Sequence, residues 1–167
     1  MTLFVENPVA ASSLARWMNR SMRPQTFDDS VVFLRHPLER FWSAVKKSYG
    51  HENIEVGVDA VLAELDTTSF SHYLPQTENV RGQRITRVIK MDEAFTDNIV
   101  AVTQANKVQW IEGFNLPKVL SAPVNATPAD NDDAALAYLK VTQQVFDKLQ
   151  SFYAEDFSAW SNPEELL

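Results

Sequence analysis

The segment from Val31 to Tyr49 places the strongest constraint on how this chain can fold. It begins with four consecutive β-branched, aromatic or aliphatic residues, Val31 to Leu34. Such a run is typical of a strand that is covered on both faces of a parallel sheet. Pro37 then stands where the first turn of a helix should be, and apolar residues follow at spacings of three and four until Gly50. The segment therefore predicts a buried strand, a tight turn and an amphipathic helix.

The rest of the chain continues this alternation. Leu3 to Val5 is a short apolar run suited to a buried strand, and Asn7-Pro8 breaks it. The remaining patterns predict a helix from Ser12 or Ser13 to about Met22, a loop from Met22 to Ser30, a helix from Val56 to Leu65, a structured loop from Ser69 to Gly82, a strand from Arg87 to Met91, a helix from Ala94 to Lys107, a short strand at Val119-Leu120 and the longest helix from Asp133 to Ala154. This order favours an α/β fold with a short parallel sheet and crossover helices. In such sheets ligands bind beyond the carboxyl ends of the strands, here the turns after Val5 and Leu34.

Composition limits the class of protein. The 167 residues fit a single domain spanning 1–167, and 45% hydrophobic with 22% charged residues is ordinary globular composition. No apolar run approaches the roughly 18 residues of a membrane span, and no basic leader precedes an apolar stretch. We therefore expect a cytoplasmic protein with no membrane partner. The absence of cysteine excludes disulfide scaffolds, cysteine nucleophiles and thiolate metal sites.

The charge balance disfavours a nucleic-acid partner, because 15 basic residues stand against 22 acidic ones and the net charge is −7. Basic residues nevertheless concentrate between Arg16 and Lys47, and again at Arg81, Arg84, Arg87 and Lys90. These clusters are either solvated faces or a local anion pocket within an acidic protein. The oligomeric state stays open.

Two strand-to-helix corners are candidate anion sites. Arg35 leaves a buried strand just before a helix N-terminus, where N–H groups and the helix dipole favour an anion, and it can hold a phosphate through two parallel hydrogen bonds. Ser43 lies two turns into that helix and can donate to the same phosphate. The alternative is an arginine in a salt bridge and a serine on a solvated surface.

The second corner is rich in small residues that let backbone N–H groups approach a ligand: Ala10, Ala11, Ser12 and Ser13. Taken alone, it is also compatible with an ordinary helix cap. It lacks the glycines and lysine of a nucleotide P-loop, so a nucleotide kinase is poorly supported.

These two corners resemble the sulfotransferases that use 3′-phosphoadenosine 5′-phosphosulfate (PAPS), in particular the carbohydrate or membrane-type branch with its small bacterial and phage members. In that family a strand leads into R-D-P-x-x-R-x-x-S-x, and here Arg35 to Ala44 reads RHPLERFWSA, with His36 in place of the aspartate. The family's other phosphate loop, P-K-x-x-x-[ST]-[ST], is similar to PVAASS at Pro8 to Ser13. Val9 replaces its lysine and Ala11 its usual glycine.

Four further segments follow in the family's order: a histidine before Pro-Gln (His72 to Gln76), a strand ending near an acidic residue (Val88 to Glu93), an Asn-x-Ser/Thr element (Asn125 to Thr127) and Tyr-x-x-Asp-Phe (Tyr153 to Phe157). The resemblance therefore covers nearly the whole chain. It implies a P-loop-like sulfotransferase fold, reduced in size.

The resemblance implies transfer of a sulfuryl group from PAPS, as co-substrate, to a hydroxyl of a carbohydrate or small-molecule acceptor, with no metal. Arg35 and Ser43 would hold the 3′-phosphate, and the corner from Ala10 to Ser13 would hold the leaving 5′-phosphate. We expect His72 to be the catalytic base. The three histidines show no metal-ligand spacing.

Two questions stay open at this level. The cation that replaces the loop lysine is one of Arg16, Lys46, Lys47, Arg81 and Arg84, and the sequence does not choose among them. Aromatic residues could line a sugar site or belong to the core: Trp42, Tyr49, Tyr73 and Trp110. Because of Val9, the alternative function is a catalytically impaired nucleotide-binding protein of the same fold.

Overall fold

The computed structural model describes residues 2–7, 12–50, 54–67, 72–121 and 143–167. Within these residues the chain forms a mixed α/β fold with two strands and eight α-helices. The elements are α1 (Ser12–Ser21), β1 (Val31–Leu34), α2 (Pro37–Tyr49), α3 (Ile54–Glu64), α4 (Gln76–Val80), β2 (Arg87–Lys90), α5 (Phe95–Ala105), α6 (Leu116–Ser121), α7 (Gln143–Phe152) and α8 (Ala154–Ser161). Short 3₁₀ turns follow α3 and α8, at Leu65–Thr67 and Pro163–Leu166.

The sheet is parallel, as predicted. β1 pairs with β2 from Val31 opposite Arg87 to Leu34 opposite Lys90. The predicted first strand is present only as a single parallel bridge between Phe4 and Val31, supported by hydrogen bonds on either side of it. The spatial order is therefore the segment 2–7, then β1, then β2, all running in one direction.

Helices cover both faces of this sheet. The side chains of successive strand residues point to opposite faces, and each set packs in its own hydrophobic cluster. Phe33 and Ile89 pack with Met18 of α1 and Val102 of α5. On the other face, Val32 packs with residues of and beside α4. All four residues of β1 are buried, which confirms the prediction of a strand covered on both sides.

Helix α2 has the boundaries that its local sequence predicts. Pro37 occupies the first turn, and Gly50 ends the helix with φ 75° while its N–H donates to the carbonyl of Lys46 at 2.9 Å. The apolar stripe of α2 is buried against α3 and α7, where Phe41, Val58 and Leu149 belong to one core cluster.

Two predicted elements are wrong. Val119-Leu120 is not a strand but part of α6, since Leu116 and Val119 are spaced three apart and both are buried on one helical side. The predicted loop from Ser69 to Gly82 contains α4, while its residues 69–71 lie outside the described part of the chain.

The predicted long helix from Asp133 to Ala154 ends early. Its described part is α7, which stops at Phe152, and α8 starts at Ala154. Tyr153 lies between the two helices, completely buried, with its hydroxyl donating to the carbonyl of Tyr73 at 2.6 Å. Residues 133–142 lie outside the described residues.

Candidate functional site

The parallel register brings three chain segments to one edge of the sheet. Phe4 lies opposite Val31, so counting three residues onward places Asn7 level with Leu34, and Leu34 is opposite Lys90. Neighbouring strands lie about 4.8 Å apart. Asn7, Leu34 and Lys90 therefore lie level at one edge of the sheet, its carboxyl edge, which is where α/β proteins bind ligands.

Arg35 leaves this edge with its backbone held on both sides by one side chain. Its N–H donates to Oε1 of Gln76 at 2.9 Å, and Nε2 of Gln76 donates back to the carbonyl of Arg35 at 2.7 Å. Gln76 itself is completely buried. The Arg35 side chain is about a quarter exposed, and its Nε lies 3.9 Å from Oε2 of Glu39, a long separation for an ion pair.

The first turn of α2 follows directly. Among the described residues no side chain caps it. Its N–H groups and the positive end of the helix dipole thus lie beside Arg35, and both favour an anion.

Arg40, the second arginine of the motif, has a different role. It is buried, and its Nη1 donates to the carbonyls of His72 and Leu74 at 3.1 and 2.9 Å. Its Nη2 lies 3.1 Å from Oδ2 of Asp156, and the guanidinium stacks 4.4 Å from the centre of the Tyr153 ring. Arg40 therefore anchors the loop before α4 to α8 and does not face a ligand.

Asp156 completes this anchor by capping α4. Its Oδ2 accepts from the backbone N–H of Gln76 at 2.8 Å, and its Oδ1 accepts from the N–H and the hydroxyl of Thr77 at 3.0 Å. The Pro-Gln segment and the Tyr-x-x-Asp segment, which are 80 residues apart, thus meet at one carboxylate and position the Gln76 side chain that holds Arg35.

The polar side chains of α2 differ in how far they are exposed to solvent. Arg40 points inward, while Ser43 is half-buried and Lys47 is exposed. Ser43 belongs to a row with Glu39 and Lys47, four residues apart on one side of the helix, and Arg35 lies in the turn before this row.

His72 lies at the far end of that row. Its Nε2 is 3.2 Å from Nζ of Lys47. Desolvation, and then the positive charges of Lys47 and Arg40, lower the pKa of His72 below its ordinary 6.5. A neutral imidazole can accept a proton. About 12 Å of helix separates the turn of Glu39, beside Arg35, from the turn of Lys47.

The serine corner is only partly described. Ser12 and Ser13 form the first turn of α1, half-buried and exposed respectively, whereas Ala10 and Ala11 lie outside the described residues. Asn19 ties α1 to Phe4, which lies opposite the first residue of β1: it accepts from the N–H of Phe4 at 3.1 Å and donates to the Phe4 carbonyl at 2.7 Å.

The structure places the candidate cations in different surroundings. Arg16 pairs with Glu6 at 2.9 Å, and Arg81 pairs with Glu155 at 3.1 Å. Lys46 is buried beside the ring of Trp42, Lys47 contacts His72, and Arg84 is exposed.

Lys90 is a cation at this edge of the sheet that belongs to neither of the two corners predicted from the sequence. Its Nζ lies 5.0 Å from the ring centre of Trp160 in α8, and the ring of His36 meets the same indole edge-on at 5.4 Å. The sequence feature that could have identified Lys90 is its position near the carboxyl end of the predicted strand from Arg87 to Met91.

The aromatic residues considered for a sugar site are mostly structural. Trp42 and Tyr73 are buried in the core, and Trp110 stacks on Phe114 with ring centres 4.3 Å apart. Tyr49 is 39% exposed. The core interpretation is therefore right for Trp42 and Tyr73.

A surface pocket of about 410 Å³ lies between the turn after α4 and the C-terminal helices, lined in part by Thr77, Arg81 and Glu155. Of the residues considered for the site, its lining includes the candidate cation Arg81 but none of those expected to bind the phosphates or to act as the base. Within the described ranges there is no group of side chains suited to hold a metal ion, and no helix long and apolar enough to cross a bilayer.

Comparison of the chain with models of protein families, with curated proteins and with solved structures found no match.

Proposed function

We propose that this chain is a small sulfotransferase with a P-loop-like fold that moves the sulfuryl group of PAPS to a hydroxyl of a carbohydrate or small molecule. The observation that carries the proposal is the parallel register that sets Asn7 level with Leu34, the last residue of β1. That alignment supports the proposal, because the two predicted phosphate-binding corners follow Asn7 and Leu34 in the sequence, and one doubly phosphorylated adenosine is long enough to span neighbouring strands.

Each corner has a defined part in binding. Arg35, the uncapped first turn of α2 and Ser43 receive the 3′-phosphate. Ser12 and Ser13, with backbone N–H groups from Ala10 onward, receive the 5′-phosphate that leaves in the reaction. Gln76 fixes the backbone of Arg35 at the first corner, and Asn19 holds α1, the helix that begins at the second corner, against Phe4. Such preorganised donors stabilise charge without rearranging during the reaction.

The transfer needs position, positive charge and a base. The acceptor oxygen attacks sulfur, the new O–S bond forms as the bond from sulfur to the 5′-phosphate oxygen breaks, and the products are a sulfate ester and adenosine 3′,5′-bisphosphate. The acceptor proton passes to the neutral imidazole of His72. The lowered pKa of His72 supports this role, because it keeps the imidazole unprotonated near neutral pH.

The second candidate function is nucleotide binding without turnover. It is favoured by Val9, which supplies no charge for the leaving phosphate, and by the distance along α2 between the Arg35 corner and His72. Val9→Lys should raise the transfer rate if the missing charge limits it, since one well-aimed donor contributes roughly 10²–10³ in rate.

Calorimetric titration with adenosine 3′,5′-bisphosphate tests the proposal. The wild type should bind with micromolar affinity, and Arg35→Ala should abolish binding. The matched control is Arg20→Ala, which removes an exposed arginine from the opposite end of α1 and should leave binding unchanged.

A transfer assay with labelled PAPS separates the two candidate functions. Transfer to any acceptor pool supports the enzyme, and His72→Asn should then reduce turnover by about 10²–10⁴ without weakening nucleotide binding. Binding without transfer supports the impaired protein. No binding to the wild type contradicts both.

A further inference from the structure

We infer that Lys90, held in place by Trp160, is a second cation of the Arg35 site, and that the two cations together bind the doubly charged 3′-phosphate of the nucleotide. The inference rests on the proposed function and names a binding residue beyond the two corners of the motif.

The first step is the position of Lys90. It is the last residue of β2 and lies opposite Leu34, the residue before Arg35. The N–H of Met91 donates to the carbonyl of Leu34 at 2.7 Å, so the two strands are still hydrogen-bonded where Arg35 leaves the sheet. Arg35 and Lys90 are therefore one residue out of register on adjacent strands, and their side chains start from opposite faces of the sheet. Both are long enough to reach one ligand that lies beyond the carboxyl edge between them.

The second step is the surroundings of Lys90. The side chain is half-buried, and within the described part of the chain it has no carboxylate partner. Its contact is the face of the Trp160 indole at 5.0 Å. An aromatic face attracts the ammonium but accepts none of its N–H groups in a strong hydrogen bond, so the three donors stay available to an anion.

The third step is how Trp160 is itself held. Edge-to-face contact with His36, at 5.4 Å between ring centres, fixes the indole beside the turn that carries Arg35. His36 also meets Phe157 edge-on at 5.9 Å. The Lys90 ammonium, the Trp160 ring and the His36 ring thus lie in consecutive contact, and His36 is the residue that follows Arg35. Trp160 is a positioning residue, because it acts on the ligand through Lys90.

The fourth step is charge. A phosphate monoester carries about −1.5 to −2 near neutral pH, whereas a phosphodiester or a sulfate ester carries one negative charge. One arginine neutralises only half of a dianion, and a second cation from the adjacent strand neutralises the rest. The site therefore favours the 3′-phosphate of the nucleotide, and a nucleotide without that group gains nothing from Lys90.

The experiment compares two ligands, adenosine 3′,5′-bisphosphate and adenosine 5′-phosphate, on the full chain. Lys90→Met keeps most of the apolar stem and removes the charge. It should weaken the bisphosphate by about 10- to 100-fold, the usual loss of a charged hydrogen bond, and leave the affinity for the 5′-phosphate unchanged. Lys90→Arg should restore most of the difference.

The matched control is Arg87→Ala, which removes one positive charge from the other end of the same strand. It should affect neither ligand. Trp160→Leu should lower the affinity for the bisphosphate alone, by less than Lys90→Met does, because Lys90 keeps its charge but loses its position. Thermal unfolding of each variant identifies changes in folding.

The outcomes are distinguishable. If the wild type binds the bisphosphate and Arg35→Ala abolishes binding, but Lys90→Met weakens both ligands equally or neither, the inference on Lys90 is overturned and the proposed function stands. If the wild type binds neither ligand, both are overturned. Selective loss with Lys90→Met and rescue by Lys90→Arg support the inference.

Discussion

Arg40 Nη2 lies 3.1 Å from Oδ2 of Asp156, and neither side chain exposes more than 2% of its surface. This ion pair joins the middle of the motif on α2 to the C-terminal helix, 116 residues away. A buried charge without its partner is strongly destabilising, so the two residues depend on each other. Because Asp156 also caps α4, the pair fixes the start of α4, where Gln76 lies.

Asp156→Asn should lower the free energy of unfolding by about 3–5 kcal/mol, because it leaves the Arg40 guanidinium buried without a counter-charge. Urea unfolding measures the effect. Glu155→Ala is the control: it removes the adjacent carboxylate, whose pair with Arg81 is about two-thirds exposed, and should cost no more than about 1 kcal/mol. Equal losses in the free energy of unfolding would show that the buried Arg40–Asp156 pair contributes no more than the exposed pair.

Gln76→Leu should weaken nucleotide binding although Gln76 touches no ligand, because the backbone of Arg35 loses both of its hydrogen bonds to the Gln76 amide. Thr77→Val is the comparison, since it removes one hydrogen bond to Asp156 but none to Arg35. Both should lower stability by roughly 1–3 kcal/mol. Calorimetry should find reduced affinity for the bisphosphate only in Gln76→Leu, and a similar loss in Thr77→Val would contradict the positioning role.

The pKa of His72 should lie below 6.5 and should rise in Lys47→Gln. Desolvation lowers it first, and the neighbouring Lys47 charge lowers it further. Proton NMR titration of the three histidines measures this directly. Lys107→Gln, a substitution in the loop after α5, should leave the His72 titration unchanged, and an identical His72 pKa in wild type and Lys47→Gln would refute the charge contribution.

The lowered pKa of His72 also makes the free energy of unfolding depend on pH. The unfolded chain has the higher pKa at His72 and binds more protons between the folded pKa and 6.5. The stability contributed by neutral His72 is therefore present above pH 6.5 and is lost as the pH falls through the folded pKa. In His72→Asn this part of the pH dependence should disappear from urea unfolding curves.

Gly57→Ala should destabilise the wild type more than it destabilises a Tyr49→Gly variant. A Cβ at Gly57 would lie 2.8–2.9 Å from the Cβ, Cγ and Cδ2 atoms of Tyr49, too close to be accepted without a shift between α2 and α3. Tyr49→Gly removes all three of these atoms, so the higher helix propensity of alanine, up to about 1 kcal/mol, can then offset the remaining cost. A double-mutant cycle in urea tests this, and equal effects of Gly57→Ala in both backgrounds would exclude the steric explanation.

Local sequence was enough for several elements. Val31 to Leu34 forms a strand because four β-branched, aromatic or aliphatic residues follow one another, and Pro37 to Tyr49 forms a helix because its apolar periodicity has start and stop signals. The pair Val119-Leu120 is too short for its sequence to distinguish a strand from a helix. It forms part of α6, whose buried side packs against the core.

Part of the candidate site was likewise predictable from local sequence, and the rest depends on tertiary structure. The position of Arg35 at the end of a strand and before a helix follows from sequence alone, since proline and apolar periodicity act over a few residues. Tertiary structure decided that Arg40 is an internal partner of Asp156, that Asp156 caps α4, and that Lys90 stands beside Leu34. Each of these depends on strand register or on a hydrogen bond between distant segments, and a linear pattern contains neither, because the geometry arises only when the chain packs.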